Sequence, residues 1–397
     1  MAQMDRRRAL RVLAALGAGG LAAAACGNKP PADEDVPTRS MDVRIGMLVP
    51  QTGGYKPIGD EIINGFQLYL ALNEGRLGGY RIELEIEDEG ETERSGKAGF
   101  ERLLERGVTA LTGVVSSAVM STIKAGVREA KVPLVGSNAS PTNLQGEAYI
   151  WRTSFVNDEA GRAMGPHVAN VVKGPIGLIA PKYAAGTDAI QGFRESFGRR
   201  DPRLPEETVW TGTATDPAEG YYRRALADLR ALQPSAVYCF FAGAAAVRFV
   251  REYRSSGITA PLYAAGFLTE GSALTQLGSA AEGIFTALNY SADLPNGANR
   301  VFTSAYRKTH GTSPTTYAMA SYDAAQVLDK ALTLAGDSPS PQRVNLMLGR
   351  VGLVTSPRGT WQFNQSRTPQ QKWYLREVRR DGRMLSNVLL RELNTLG

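Results

Sequence analysis

The feature that most constrains this chain is a regular alternation of short apolar runs with amphipathic segments from residue 42 onward. Eight apolar runs have the length of a buried strand, and they fall into two groups of four. They span residues 43–50, 82–88, 108–116 and 133–139, then 175–181, 208–212, 235–241 and 261–266. Strand–helix alternation of this kind favours parallel sheets covered by helices on both faces. We therefore predict an α/β protein with two doubly wound parallel-sheet lobes.

The segments between these runs have the spacing of amphipathic helices. In residues 60–73 the apolar side chains recur every three or four positions, at Ile62, Phe66 and Leu70 for example. The length of 397 residues also favours two domains, because single cores rarely grow beyond roughly 250–300 residues. In open α/β sheets ligands bind at the carboxyl ends of the strands, so the loops there are the candidate site.

The N-terminal segment has the pattern of an export signal. Residues 6–8 and 11 are arginines, residues 12–25 carry no charge, and Cys26 follows a run of alanines. A run of 14 uncharged residues is too short to span a bilayer. A cysteine at this place resembles the lipobox of bacterial lipoproteins, although Ala23 stands where leucine is usual. We predict a lipoprotein signal peptide over residues 1–26, lipidation of Cys26 and a flexible tether over residues 27–41.

Two alternatives stay open for this segment. Cys26 could belong to an ordinary secretory signal, and residues 5–11 (DRRRALR) also resemble a twin-arginine export signal. Both alternatives still place the mature protein outside the cytoplasm, on the periplasmic side of the cell envelope. The sequence does not distinguish the inner membrane from the outer one.

Charge and composition exclude several classes of function. The net charge is +6, but residues 1–26 contribute four arginines and one aspartate, and the rest carries 41 basic and 38 acidic residues. No nucleic-acid partner is therefore expected. Two cysteines and two histidines are too few for a zinc or iron–sulfur site, so we expect no metal and no cofactor. Without a phosphate-binding loop, nucleophile elbow or HExxH motif, the chain is not expected to be an enzyme.

Small polar residues follow the strands of the first group. Thr52 follows the first predicted strand, Ser116 and Ser117 stand at the end of the third, and Asn138 and Ser140 stand at the end of the fourth. Such residues with helix N-terminal amides behind them suit a carboxylate or another anion. Each one taken singly could instead be a helix cap. Three loops of this kind at equivalent positions favour a pocket.

The order of motifs along the chain resembles the periplasmic substrate-binding proteins of branched-chain amino acid (Leu/Ile/Val-type) ABC transporters. The resemblance spans residues 43–378 and is carried by eight motifs. They read IGMLVPQTGGYKPIGDEIINGFQLYLALNEGRLGG, LTGVVSS, VPLVGSNAS, WRTSFVNDEAGRAMG, YAAGTDAIQGF, AAEGI, YAMASYDAAQVLDKAL and SPRGTWQF. The resemblance implies a type I periplasmic binding protein fold, with two lobes joined by three hinge crossings and a ligand clamped between them.

The same resemblance implies boundaries and partners. Lobe 1 is expected over residues 42–157 and 290–350, and lobe 2 over residues 158–289 and 351–397. The implied partners are a small-molecule carboxylate and an ABC transporter permease, with contact to the membrane only through the N-terminal lipid. We expect a monomer. Arg358 in the SPRG motif resembles a position near the hinge, where a structural ion pair is expected.

In the first lobe, three positions match the family's ligand-carboxylate site. Ser117 matches the serine that binds the ligand carboxylate, and Asn138 and Ser140 match the two loop positions that complete the site. The resemblance therefore assigns these residues to the carboxylate end of the ligand.

The second lobe departs from the amino-acid-binding pattern. Ala185 and Ala244 are small at positions where relatives offer aromatic side chains, and this change leaves room beside Tyr183 and Phe267. Glu270 is the candidate acid for an α-ammonium group, but the length of its loop differs. The pattern resembles the subgroup that takes up aromatic carboxylates, and Tyr183 and Phe267 could stack on a ring.

Two functions other than transport are alternatives for such a chain. Related lobes also serve as ligand-sensing amide or urea regulators, which never meet a permease. An exported hydrolase would need a nucleophile with a base, and Ser117 has no evident histidine partner in the sequence. We therefore predict a substrate-binding lipoprotein for a small organic anion, either an aromatic carboxylate or an amino acid.

Overall fold

The computed structural model describes residues 39–382 and 384–397. The predicted signal peptide, Cys26 and most of the tether lie outside the described residues. Within the part of the chain that is described, no helix combines the length and the apolar character needed to cross a membrane.

Residues 42–152 build sheet A, which has six strands. They are β1 (Asp42–Val49), β2 (Arg76–Leu77), β3 (Tyr80–Asp88), β4 (Ala110–Gly113), β5 (Leu134–Gly136) and β6 (Ile150–Arg152). The intervening helices are α1 (Lys56–Leu72), α2 (Glu93–Glu105) and α3 (Ser117–Ala130). The strand order is β2-β3-β1-β4-β5-β6, and every pair is parallel except the short β2–β3 pair.

The remainder of the chain builds sheet B, the helices around it and further helices on the sheet A side. Its further strands are β7 (Ile176–Pro181), β8 (Val209–Thr211), β9 (Ala236–Cys239), β10 (Leu262–Ala265), β11 (Phe285–Leu288), β12 (Val354–Ser356), β13 (Gly359–Trp361), β14 (Gln371–Asp381) and β15 (Met384–Leu396). Its helices are α4 (Glu159–Val171), α5 (Ala184–Gly198), α6 (Arg223–Ala231), α7 (Gly243–Ser255), α8 (Ser272–Leu277), α9 (Gly297–His310), α10 (Thr316–Ala335) and α11 (Pro341–Leu348). Sheet B has the order β15-β14-β11-β10-β9-β7-β8, and β12 pairs with β13 separately.

The structure confirms the predicted fold class and all eight predicted strands, and it shows strands that the sequence did not predict. Strand β14 pairs antiparallel with β11, and β15 pairs antiparallel with β14, so sheet B is mixed and not purely parallel. Charged residues interrupt the apolar sequence of β14 (QKWYLREVRRD), and its last three residues are exposed. An edge hairpin of this kind lacks the continuous apolar run that identified the buried strands.

A close approach between two helices fixes α10 against sheet A. A Cβ atom on Gly65 in α1 would lie 2.1 Å from the backbone oxygen of Ala318 in α10, so only glycine fits there. The Tyr69 hydroxyl of α1 also donates to Asp329 of α10 at 2.7 Å. Thr315 caps α10 by accepting from the Ala318 amide. These contacts place Tyr317, at the start of α10, beside the carboxyl edge of sheet A.

The chain passes three times between sheet B and the elements on the sheet A side, through residues 153–158, 289–296 and 349–370. One atom connects all three crossings. The carbonyl oxygen of Ser154 on the first accepts from Asn289 on the second at 2.9 Å. It also accepts from Arg358 within the third crossing and from Gln371 at its end, both at 2.9 Å. Arg358 forms the expected ion pair, at 2.7 Å from buried Asp323.

Candidate functional site

A cavity lies where the carboxyl ends of both sheets meet. In sheet A the strand order reverses between β1 and β4, and in sheet B it reverses between β7 and β9. Ligands in open α/β sheets bind at such switch points. The loops after these four strands all line the cavity. The lining residues are Tyr55, Ile58, Val115, Ser117, Asn138, Ala139, Phe155, Asn157, Tyr183, Ala185, Phe240, Ala242, Phe267 and Tyr317.

Ser117 is buried at one end of the cavity and has a proton to donate. It is the first residue of α3, and the helix cap is its neighbour Ser116, whose side chain accepts from the Val119 amide. The Ser117 hydroxyl oxygen accepts from the Asn157 side-chain amide at 3.1 Å. Because that bond uses an oxygen lone pair, the hydroxyl hydrogen stays available for an acceptor in the cavity.

Asn138 lies beside Ser117 at the same end of the cavity. Its side-chain amide donates to the Val115 carbonyl at 3.0 Å, and its own carbonyl accepts from Ser154 at 3.0 Å. These bonds fix the loop after β5 against the loops after β4 and β6. Ser117 and Asn138, both predicted from the sequence, are thus brought together at the carboxyl edge of sheet A.

Aromatic rings form the opposite wall. Phe267 is central, with ring centroids 5.0 Å from Phe155, 6.0 Å from Phe240 and 6.0 Å from Tyr317. Tyr183 lies next to Phe240, with centroids 6.3 Å apart. The two predicted aromatic residues, Tyr183 and Phe267, therefore do line the cavity, and Ala185 lines it as a small residue. The wall suits a flat apolar group.

Three residues singled out from the sequence lie outside the lining. Ser140 is fully buried behind the loop after β5, where its hydroxyl accepts from Arg152 at 3.5 Å. Ala244 lies at the start of α7, where its amide donates to the Gly54 carbonyl in the loop after β1 at 3.3 Å. Glu270 is buried but forms an ion pair with Arg376 at 2.8 Å. Ser140 and Glu270 therefore do not line the cavity and are not placed to contact a ligand in it.

Sequence reasoning missed several lining residues, and Asn157 is the most informative. It donates both to Ser117 and to Asp188, at 3.1 and 3.2 Å, and so connects the loops of the two sheets. Asn157 follows β6, a three-residue strand too short to be recognised by pattern. The family motif WRTSFVNDEAGRAMG contains Asn157 and could have indicated it as a site residue. Tyr55, Phe155, Phe240 and Tyr317 were missed because they come from four separate elements.

The lining is uncharged: among the described residues that form it, none is Asp, Glu, Lys, Arg or His. The hydroxyls of Tyr55 and Tyr183 lie 3.4 Å apart across the cavity. Burial raises the pKa of both phenols, so both stay protonated at neutral pH. The site therefore offers neutral hydrogen-bond donors and rings, without a fixed charge of its own.

A buried carboxyl group, that of Glu89, lies directly behind the Ser117 loop. Glu89 accepts from the amides of Val115 and Ser116 at 2.7 and 2.6 Å. Burial raises the pKa of Glu89 to about 8, although the two amide bonds act in the opposite direction. Glu89 therefore occupies two amides of the loop that leads into α3, so a ligand carboxylate would have to use other donors.

Reciprocal contacts join the two sides at the flanks of the cavity. On one flank Glu91, after β3, accepts from Thr215 and from the Gly54 amide. On the other flank Asp188 of α5 accepts from the Thr142 hydroxyl at 2.9 Å. The loops of the two sheets thus enclose the cavity between them.

Nothing in the described residues suggests a metal centre, since no group of three or more His, Cys, Asp or Glu side chains could hold an ion there. The arrangement is instead that of a binding cleft between two α/β units, with polar donors at one end and aromatic rings at the other.

Comparison with known proteins agrees with a binding protein that holds its ligand between two α/β units. A family described as "Periplasmic binding protein" matches residues 42–383, and the chain belongs to that family. A Leu/Ile/Val-binding protein homolog from Brucella melitensis is 24% identical over 85% of this chain and 87% of its own length.

Two solved structures extend the comparison. An ABC transporter solute-binding protein from R. palustris in complex with benzoate has a TM-score of 0.81 and 29% identity. The match covers 90% of this chain and 98% of that one. A leucine-binding protein from Thermotoga maritima has a TM-score of 0.79 at 19% identity, covering 89% and 99%. The latter likeness shows the shared fold.

Proposed function

We propose that this protein is the solute-binding component of an ABC transporter and that it captures an aromatic carboxylate in the cleft. The observation that carries the proposal is the uncharged cavity, with Ser117 and Asn138 at one end and Tyr183 and Phe267 at the other. The Ser117 hydroxyl hydrogen would donate to the ligand carboxylate. The aromatic wall would cover the ring, since aromatic pairs favour stacked or edge-to-face contacts.

The cavity lacks what an α-amino acid requires. A buried ammonium group without a partner is prohibitively costly, and no lining side chain of the described chain carries a negative charge. The benzoate complex of the R. palustris protein, 29% identical to this chain, supports the choice of an aromatic acid. The Leu/Ile/Val-type relatives keep an amino acid as the second candidate.

The cellular arrangement forms part of the same proposal. The protein is anchored by lipidated Cys26 on the periplasmic side of the envelope, and residues 27–41 act as its tether. The lobes comprise residues 42–157 with 290–350, and 158–289 with 351–397. They would close on the ligand as a monomer and deliver it to a membrane permease, without catalysis.

Calorimetric titration with benzoate and with leucine tests the choice of ligand. Benzoate is expected to bind at least about tenfold more tightly than leucine. Tight leucine binding together with no benzoate heat would contradict the aromatic assignment. A thermal-shift measurement gives an independent readout, because a ligand at 100 times its Kd adds about 2.7 kcal/mol of stability.

The two other functions give different outcomes. A sensor would bind the same ligand, but its deletion would leave uptake of labelled benzoate unchanged, whereas a transport component predicts lost uptake. A hydrolase would need a base near Ser117. Neither described histidine lies in the cavity lining, since His167 contacts Arg391 at 3.0 Å and His310 packs on Tyr306.

A further inference from the structure

Three arginines are deeply buried in the described part of the chain: Arg152, Arg358 and Arg376. Arg358 is paired with Asp323, and Arg376 is paired with Glu270, each at 2.7–2.8 Å. Arg152 is only 1% exposed, yet no carboxylate among residues 39–382 and 384–397 forms an ion pair with it. Its Nε atom has no hydrogen-bond partner in the same residues. A buried charge without a counter-charge is costly, so this exception requires an explanation.

Arg152 is the last residue of β6, so it lies at the carboxyl edge of sheet A, where the cavity is. Its guanidinium donates to the Ser140 hydroxyl at 3.5 Å and to the Ser366 carbonyl. Ser140 exchanges hydrogen bonds with Asn157: the Asn157 amide donates to the Ser140 carbonyl at 2.9 Å, and the Ser140 amide donates to the Asn157 side chain at 3.3 Å. Asn157 in turn donates to Ser117, which lines the cavity.

The charges near Arg152 leave it only partly compensated. Burial lowers the pKa of Arg152 to about 10, a value at which the guanidinium is still charged at neutral pH. Arg367 acts in the same direction, and Glu159 opposes it. Burial also raises the pKa of Glu159 to about 7, so a large part of its carboxyl population is neutral near neutral pH. Arg152 therefore keeps a positive charge that is only partly compensated, and its guanidinium lies in hydrogen-bond contact with Ser140 of the loop after β5.

We propose that Arg152 is the counter-charge of the bound ligand, a positioning residue that makes the uncharged cavity selective for anions. It acts through the hydrogen bonds that connect Ser140, Asn157 and Ser117, without touching the ligand. This inference rests on the proposed function, because it takes the ligand to be a carboxylate. It also gives Ser140 a role one layer behind the cavity, in place of direct contact with the ligand.

The test compares benzoate with its neutral isostere benzamide in four proteins. Arg152→Gln removes the charge and keeps a polar group, Arg152→Lys keeps the charge, and exposed Lys308→Met changes the net charge away from the cavity. In Arg152→Gln, benzoate affinity should fall at least about tenfold, or about 1.4 kcal/mol. Benzamide affinity should change less than about threefold. Arg152→Lys should recover most of the benzoate affinity, and Lys308→Met should match the wild type.

The outcomes separate the inference from the proposed function. Wild-type protein that does not bind benzoate contradicts the aromatic-carboxylate function. Wild-type binding with an unchanged Kd in Arg152→Gln, or an equal loss for benzoate and benzamide, overturns the role of Arg152 alone. If Arg152→Gln does not fold, Ser140→Ala tests the connection, and benzoate binding by Ser140→Ala equal to the wild type overturns it.

Discussion

Glu270 and Arg376 form a buried ion pair, with 2.8 Å between the carboxylate oxygen and the guanidinium nitrogen. Both side chains are at most 5% exposed. The second Glu270 oxygen accepts from the Thr316 amide at 3.0 Å, at the start of α10. Glu270 thus connects β14 to α10 and is already neutralised. An acid in this state is poorly suited to receive an ammonium group from a ligand.

Glu270→Gln is therefore expected to lower stability and to leave ligand affinity nearly unchanged. Removing one partner of a buried ion pair costs about 3–5 kcal/mol, because the other charge stays buried without compensation. Urea denaturation measures the loss, and calorimetry measures benzoate binding. The matched control is Glu282→Gln, whose partner Arg380 is exposed and which should change stability by less than about 1 kcal/mol. Leucine binding that disappears in Glu270→Gln would show that an ammonium site exists after all.

Ser116 and Ser117 are adjacent but have different roles, since Ser116 caps α3 and Ser117 lines the cavity. Ser117→Ala removes the hydroxyl that faces the cavity, and hydrogen bonds to charged groups contribute about 1.5–3 kcal/mol. Benzoate should then bind about tenfold to a hundredfold more weakly, with little change in the stability of the ligand-free protein. Ser116→Ala removes the cap of α3 and should cost about 0.5–2 kcal/mol of stability at nearly constant affinity. The opposite pattern in the two variants would exchange their roles.

The hydrogen-bond network that connects the three crossings at the Ser154 carbonyl is expected to depend on Arg358. Its guanidinium binds Asp323 and the Ser154 carbonyl, and both partners are buried. Arg358→Met leaves the Asp323 carboxylate without its cation, so stability should fall by about 3–5 kcal/mol. Arg379→Met breaks an exposed pair with Glu377 and is the control. Equal thermal stability of Arg358→Met and Arg379→Met would show that the network at the three crossings contributes little to stability.

The lipid anchor is tested on the intact precursor in cells. Cys26→Ser removes the thiol that would carry the lipid, so the protein should leave the membrane fraction or accumulate unprocessed. Fractionation and immunoblotting report both results. Unchanged membrane association with normal processing would contradict the assignment of Cys26. Replacing buried Cys239 by serine is not a suitable control, since a buried hydroxyl without a partner would lower stability.

The strands that carry the cavity were predictable because they are buried on both faces and appear as continuous apolar runs. Ser117 and Asn138 were predictable because they stand at the ends of such runs and match motif positions of the family. The hairpin β14–β15 was not, because its exposed positions interrupt the apolar pattern. Glu270 shows the other limit. Its partner Arg376 lies 106 residues further along the chain, and no local pattern reports a contact at that separation.

The pH dependence of stability should be set by three buried glutamates. Burial raises the pKa of Glu61 and Glu89 to about 8 and that of Glu159 to about 7. In the unfolded chain a glutamate titrates near about 4.3. Between these values the folded protein binds more protons than the unfolded chain. Stability contributed by the neutral carboxyls is therefore fully present below about pH 4.3 and is lost as the pH rises through 7 to 8.

The free energy of unfolding should accordingly fall by at least about 2 kcal/mol between pH 5 and pH 8.5, as measured by urea titration. Glu89→Gln keeps the shape of the side chain and one acceptor for the amides of Val115 and Ser116, but it cannot ionise. This variant should flatten the slope, whereas Glu129→Gln on the exposed face of α3 should preserve it. Stability that instead rises across this range would mean that the two amide bonds outweigh burial and that Glu89 is ionised behind the Ser117 loop. In that case the negative charge would weaken binding of a ligand carboxylate, and benzoate affinity should increase in Glu89→Gln.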